Sequence, residues 1–251
     1  MGASSAATRL PVFLTAEWRH LALVNYRIDP GLLQPFVPAG TELDFWQGDC
    51  LVSLVAFRFL NTRVCGWQMP FHRDFEEANL RFYVRRRAGD GWRRGVVFLK
   101  ELVPRRMVAW IARGVYGENY HTATMRHRLD FDAGRPGGLA AAEYAWRYRG
   151  RPYRLAMTLA GGPAPIPAGS IEEFITEHYW GYTRLGPDRT SEYEVVHPRW
   201  NFWSAAETMV EGDWGVLYGE EFATTLAQRP VSVFLADGSD VEVRRGAHLT
   251  A

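Results

Sequence analysis

One stretch in the middle of the chain decides what kind of fold is possible. From Phe75 to Arg85 the residues alternate: Glu77, Asn79, Arg81 and Tyr83 fall on one side of an extended chain, and Ala78, Leu80, Phe82 and Val84 on the other. Ala88-Gly89-Asp90-Gly91 supplies a reversal, and the apolar run Gly95 to Val103 (GVVFLKELV) returns as a second strand. A period of two does not suit a helix, so this hairpin commits the centre of the chain to β-structure. If the four-residue loop makes the turn, Arg87 pairs with Trp92. Counting along the ladder then sets Lys100 opposite Asn79, on the face of Glu77 and Arg81, whereas a slip of one residue moves it to the apolar face.

Lys100 is the one lysine among 29 basic residues. Arginine carries a surface charge equally well, but its guanidinium stays protonated and cannot act as an amine nucleophile. A single lysine in an apolar strand is therefore a candidate for amine chemistry; the alternative is an arginine-rich chain with one lysine left over. Imine formation near pH 7 requires the amine pKa to fall by about three units from ~10.4, through desolvation and a cation such as Arg81. Glu77 is suited to moving protons, Arg81 to binding a carboxylate through its planar fork, and Asn79 to orienting a carbonyl. Equally, Glu77 and Arg81 can be a buried structural ion pair, with Asn79 satisfying backbone groups.

The rest of the chain reads as short strands with a few helices. Strands are expected over Arg19 to Ile28, Leu43 to Trp46, Cys50 to Phe59, Tyr120 to Phe131, Ala141 to Tyr148, Tyr153 to Leu159 and Glu192 to Val196. The second and third would form a hairpin at Gln47-Gly48-Asp49, and a last hairpin would turn at Asp237-Gly238. Asp29-Pro30 opens a helical turn, and Pro104 starts a helix that Gly117 closes. Ser170 with Glu173 makes a capping box, and a last helix covers Gly215 to Leu226. The segment Gly161 to Gly169 is too short to separate two cores. The expectation is one α+β, predominantly β domain over residues 1–251, with the small, polar residues 1–15 able to stay disordered.

Composition excludes several classes. Basic and acidic residues number 29 and 28, with no long like-charge block, which disfavours nucleic acid. No basic leader precedes an apolar core, and no apolar run approaches the ~18 residues of a membrane helix, so a cytoplasmic protein with reduced Cys50 and Cys65 is expected. His178 and His197 are candidate acid–base or substrate-binding groups, and Tyr116, Tyr120 and Tyr182 candidate hydrogen-bond donors. A histidine beside tryptophans is also an ordinary core residue. His178, His197 and Glu177 lack compact metal-ligand spacing, and no phosphate or dinucleotide glycine loop occurs, so neither metal nor cofactor is expected. Self-association into a homo-oligomer is compatible with the sequence, which selects no state.

The segments LVNY at Leu23, LDFWQGDCLVSLVAF at Leu43, FEEANLRFYV at Phe75, GVVFLKELVP at Gly95, EHYWGY at Glu177 and VVHPRW at Val195 resemble the bacterial YqjF-like family of uncharacterised proteins. That family is similar in turn to the acetoacetate decarboxylase superfamily. The resemblance implies a cone-like or barrel-like antiparallel β-structure with a few peripheral helices around an interior pocket. Acetoacetate decarboxylase forms a Schiff base on a lysine in a Pro-Lys-Lys-Leu context, which Leu99-Lys100-Glu101-Leu102 resembles. Lys100 thus matches the nucleophile, Glu101 replaces the second lysine, and Glu77 resembles the pocket glutamate. An adjacent carboxylate raises an amine pKa where a second ammonium lowers it, although on a strand Glu101 should face away from Lys100. Three functions follow: a Schiff-base lyase acting on a small keto acid or carbonyl compound, a non-catalytic small-molecule binder using the same pocket, or a structural protein whose pocket has closed.

Overall fold

The chain folds around strands that are apolar on both faces, which requires a layer of structure on each side of them. A computed structural model describes residues 10–68, 73–89, 91–104 and 119–250. Its strands are β1 (Val12–Arg27), β2 (Glu42–Leu43), β3 (Leu51–Val64), β4 (Trp67–Gln68), β5 (Phe75–Ala88), β6 (Gly91–Val103), β7 (Tyr120–Thr122), β8 (Thr124–Phe131), β9 (Leu139–Tyr148), β10 (Arg151–Pro165), β11 (Trp180–Gly186), β12 (Arg189–Val196), β13 (Asn201–Glu211) and β14 (Ser232–Thr250). Short helices are α1 (Pro30–Leu33), α2 (Ile171–Thr176), α3 (Trp214–Tyr218) and α4 (Glu220–Leu226). No helix among the described residues is long and apolar enough to cross a membrane.

Strands β1, β3, β5, β6, β11, β12 and β14 close into a seven-stranded barrel, because β14 pairs with β12 and with β1. The barrel is mixed rather than wholly antiparallel: β11 joins β6 in parallel, with Trp180 opposite Gly95 and Gly181 opposite Val96. Both glycines are needed at this seam. A Cβ on Gly95 would lie 2.5 Å from the Trp180 carbonyl oxygen, and one on Gly181 2.1 Å from the Tyr193 ring.

From Phe234 to Ala236, β14 also pairs with β13, which leads through β10, β9 and β8 into a second sheet. The outward residues of the barrel, among them Val24, Leu54, Leu80 and Phe82, share one core with Tyr144, Trp146, Leu155 and Met157 of that sheet and with Leu217 and Phe222 of α3 and α4. The inward residues, including Leu23, Val55, Phe57, Phe59, Phe75 and Phe234, form a separate core inside the barrel.

Several expectations change. Leu43 pairs with Val84 of β5 rather than with β3, and the expected Gln47-Gly48-Asp49 hairpin shrinks to a single bridge between Trp46 and Asp49. β14 runs straight through Asp237-Gly238; the positive φ of Gly238 (78°) lets the strand pass β1, where a Cβ would meet the Trp18 carbonyl oxygen at 2.0 Å. The last helix is two helices, parted at Gly219. Strands β11 and β13 were not anticipated, and the helix expected from Pro104 lies outside the described residues. Half of the capping box forms: Ser170 Oγ accepts from Glu173 N at 3.1 Å, but the Glu173 carboxylate accepts from Gly169 N at 2.6 Å, while Ser170 N donates to the Pro167 carbonyl.

Candidate functional site

The register of β5 against β6 settles which side chains enter the barrel. Arg87 pairs with Trp92, as the loop length implies, and the ladder continues in step to Arg81 opposite Phe98. It then shifts by one: Leu80 pairs with Lys100 and Asn79 with Glu101. The extra residue is Leu99, a β-bulge whose side chain packs into the outer core. The expectation of Lys100 opposite Asn79 is therefore corrected. Past the bulge the alternation is reversed, so Glu101 faces the interior and Lys100 the outside.

Inside, a cavity of about 120 Å³ is bounded by Glu77, Asn79, Arg81, Glu101, Tyr120, His178 and His197, with Trp18, Phe57, Phe59, Phe75 and Trp200 as its aromatic wall. Glu77 is 2% exposed and Asn79 1%. Asn79 Nδ2 donates to Glu77 Oε1 at 2.9 Å, and the Tyr120 hydroxyl donates to Oε2 at 3.3 Å. Burial pushes the Glu77 carboxyl up to about 7, outweighing these two hydrogen bonds and the nearby Arg81 charge. Glu77 is thus poised to gain or lose a proton near neutrality.

Arg81 is the unusual member. It is 9% exposed, its Nε has no hydrogen-bond partner, and it takes part in none of the ion pairs among the described residues. Its guanidinium lies 6.0 Å from the Tyr83 ring centroid. The close Glu77–Arg81 ion pair, one of the two readings of these residues, does not form. Asn79 Oδ1 is likewise buried without a partner. Trp18 Nε1 and Thr62 Oγ1 of the lining are buried without a partner as well, whereas beside the lining Ser53 Oγ donates to Asn25 Oδ1 at 2.6 Å and lies 2.5 Å from the Tyr83 hydroxyl.

The histidines also reach the cavity. His178 Nε2 lies 3.2 Å from Asp44 Oδ2, which accepts from Arg94 Nε at 2.7 Å. Burial takes the His178 pKa down to about 4, so the ring is neutral at pH 7. The Asp44 carboxyl is held below its usual range: burial pushes it up, but hydrogen bonds from His178 and Arg94 outweigh that. His197 stacks on Trp200 with centroids 4.2 Å apart, and burial lowers its pKa.

Two expected site residues stand elsewhere. Tyr182 packs in the outer core, its ring against Gly95. Lys100 Nζ donates to the Leu217 carbonyl near the end of α3 and lies 5.5 Å and 6.0 Å from the Tyr148 and Tyr218 ring centroids. Burial, with a smaller contribution from Arg149, lowers its pKa. Tyr116 lies outside the described residues. Glu101 was passed over as a site residue because only the bulge turns it inward, and no sequence signal marks that bulge.

Comparison with known proteins agrees with this architecture. The acetoacetate decarboxylase-like enzyme from Sphingomonas wittichii RW1 superposes with a TM-score of 0.68 at 18% identity, covering 100% of both chains. Acetoacetate decarboxylase from Legionella pneumophila subsp. pneumophila str. Philadelphia 1 gives 0.68 at 15% identity, covering 99% of this chain and 93% of that one. The enduracididine biosynthesis enzyme MppR complexed with pyruvate gives 0.67 at 16%, covering 98% and 93%. The fold is therefore acetoacetate decarboxylase-like. In sequence, the chain is 25% identical over 186 residues to the uncharacterized protein YqjF of Bacillus subtilis (strain 168), spanning 72% of this chain and 70% of that protein. A family model described as an uncharacterized conserved protein matches residues 15–240, and on that match the chain belongs to the DUF2071 family.

Proposed function

We propose that the barrel interior binds a small carboxylate or keto acid, with the Arg81 guanidinium as its anion partner and Glu77 as the group that exchanges a proton with it. The observation that carries this is the unpaired Arg81. A buried cation that no carboxylate contacts directly is only partly compensated for its lost solvation, and a ligand carboxylate would complete that compensation through two parallel N–H···O bonds. Asn79 Oδ1 offers a further unmet acceptor, and Glu77, with a pKa near 7, can donate to a ligand oxygen or take a proton from carbon. Such chemistry needs neither metal nor organic cofactor. The structural relative MppR is complexed with pyruvate, a ligand of this class.

The test is calorimetric titration of the protein and of Arg81→Met with a panel of small carboxylates. Wild type should bind at least one member, and the variant should lose that binding while keeping or gaining stability. Unchanged binding in a folded Arg81→Met protein would sink the assignment.

Schiff-base lyase chemistry at Lys100 is the second reading, favoured by its being the only lysine and by its lowered pKa. Against it stands the position of Nζ on the outer face, bonded to Leu217. Incubation with pyruvate followed by borohydride separates the readings. An adduct mapped to Lys100, rather than to the α-amino group, supports the lyase; none is expected if the chemistry belongs to the interior.

A further inference from the structure

We infer that the interior ligand is a monocarboxylate with a ring-sized apolar tail, its carboxylate at Arg81 and its tail among Trp18, Phe57, Phe59 and Phe75. This rests on the assignment of Arg81 as anion partner and extends it from charge to shape.

The inward residues of β5 run Arg81, Asn79, Glu77, Phe75: a cation, an amide, a carboxyl and an aromatic ring in order along one strand. The paired inward residues of β3 change in the same direction, with Ser53 opposite Arg81, Val55 opposite Asn79, Phe57 opposite Glu77 and Phe59 opposite Phe75. Six residues of strand cover about 20 Å, and the arginine side chain reaches back along part of that length. The cavity is therefore polarised along the barrel wall, charged at one end and aromatic at the other.

At the aromatic end Phe59 stacks on Phe75 with centroids 4.7 Å apart, and Trp18 stands edge-on to Phe57 at 5.5 Å and to Phe59 at 5.8 Å. Flat apolar walls of this kind favour a flat apolar group, which gains from ring contacts as well as from burial. The free volume of about 120 Å³ is somewhat below the ~150 Å³ of an apolar protein cavity that takes a benzene, which limits the tail to a single ring at most. Arg81 is the one lysine or arginine among the described lining residues, against two carboxyl groups, Glu77 and Glu101. A second carboxylate or a phosphate on the ligand would meet those groups without a cation to answer it, which limits the ligand to a single negative charge.

Phenylacetate, acetate and phenylacetamide separate head from tail, with tryptophan fluorescence and calorimetry as readouts because Trp18 and Trp200 line the cavity. Phenylacetate should bind ~10-fold or more tightly than acetate, from the apolar surface of the ring, and ~10-fold or more tightly than its neutral amide. Phe75→Leu should weaken phenylacetate and leave acetate unchanged. Equal binding of acetate and phenylacetate overturns the tail while leaving the role of Arg81 intact. Equal binding of phenylacetate and phenylacetamide overturns the head, and the Arg81 assignment with it. No binding of any of the three at millimolar concentration overturns both.

Discussion

The two faces of β5 are made from alternate residues of the same strand and are finished to different standards. On the outer face Ala78, Leu80, Phe82 and Val84 are all fully buried in the core shared with the second sheet. β5 itself presents no polar side chain there, although Trp146 Nε1, Trp203 Nε1 and the Tyr218 hydroxyl in the core it packs into are buried without partners. On the inner face Arg81 Nε and Asn79 Oδ1 are buried without partners, and Glu77 is held where its ionised form is unfavourable. Each such orphan costs about 1–3 kcal/mol. One face is optimised for stability, while the other gives stability up in a concentrated patch. That difference marks where buried polar groups lack partners and, on the proposed reading, where a ligand would supply them.

The comparison breaks most visibly at Leu80. Leu80→Ala removes a fully buried side chain from between the barrel and the second sheet, and should cost about 2–5 kcal/mol by denaturant titration. A loss under about 1 kcal/mol would mean that the outer face is not the main core.

Glu77 sharpens the comparison from the other side. Burial pushes its carboxyl up to about 7 in the folded protein, against an ordinary value of 4.5. Between those pH values the native state keeps a proton that the unfolded chain has lost, so this group makes stability fall as pH rises from about 4.5 to about 7, with no further loss above. Glu77→Gln cannot titrate. The variant should match wild type near pH 4.5 and exceed it by up to ~3 kcal/mol above pH 7. His178 and His20, both lowered to about 4 by burial, act with the opposite sign between pH 4 and 6.5. They are common to both proteins and cancel in the difference. A pH-independent gap between variant and wild type would contradict the buried carboxyl.

Much of this arrangement was legible in the sequence. Alternation over Phe75 to Arg85 and the turn at Ala88 to Gly91 gave the central hairpin and its Arg87–Trp92 pair, because both depend on local chemistry. The family segments gave the barrel. The bulge at Leu99 was not legible: unlike turns that need a positive φ, it carries no obligatory glycine, and its consequence, the exchange of Lys100 for Glu101 inside, is set by contacts made across the fold. The β6–β11 seam was hidden for a related reason, since parallel pairing joins segments distant in sequence. β13 was missed because most of its residues are exposed and its pattern has no clear period. At Asp237-Gly238 the turn residues were read correctly for their backbone freedom and wrongly for its use.

The smallest expected effect concerns Lys100, where the comparison predicts a purely structural loss. Its ammonium donates to a carbonyl near the C-terminus of α3, where the helix dipole favours a cation by about 0.3–1 kcal/mol, and it faces the Tyr148 and Tyr218 rings. Cation–π contacts at partly exposed sites add about 0.5–1 kcal/mol. Burial works against the ammonium and offsets part of these contributions, so Lys100→Met, which keeps the aliphatic stem and removes the charge, should lower stability by no more than about 1 kcal/mol and leave the affinity for an interior carboxylate within about twofold. Arg81→Met should show the reverse pattern, with binding lost and stability kept. Should Lys100→Met instead keep its stability and lose ligand binding, the two faces would have exchanged roles, and the case for amine chemistry at Lys100 would outweigh the case for the interior carboxyl.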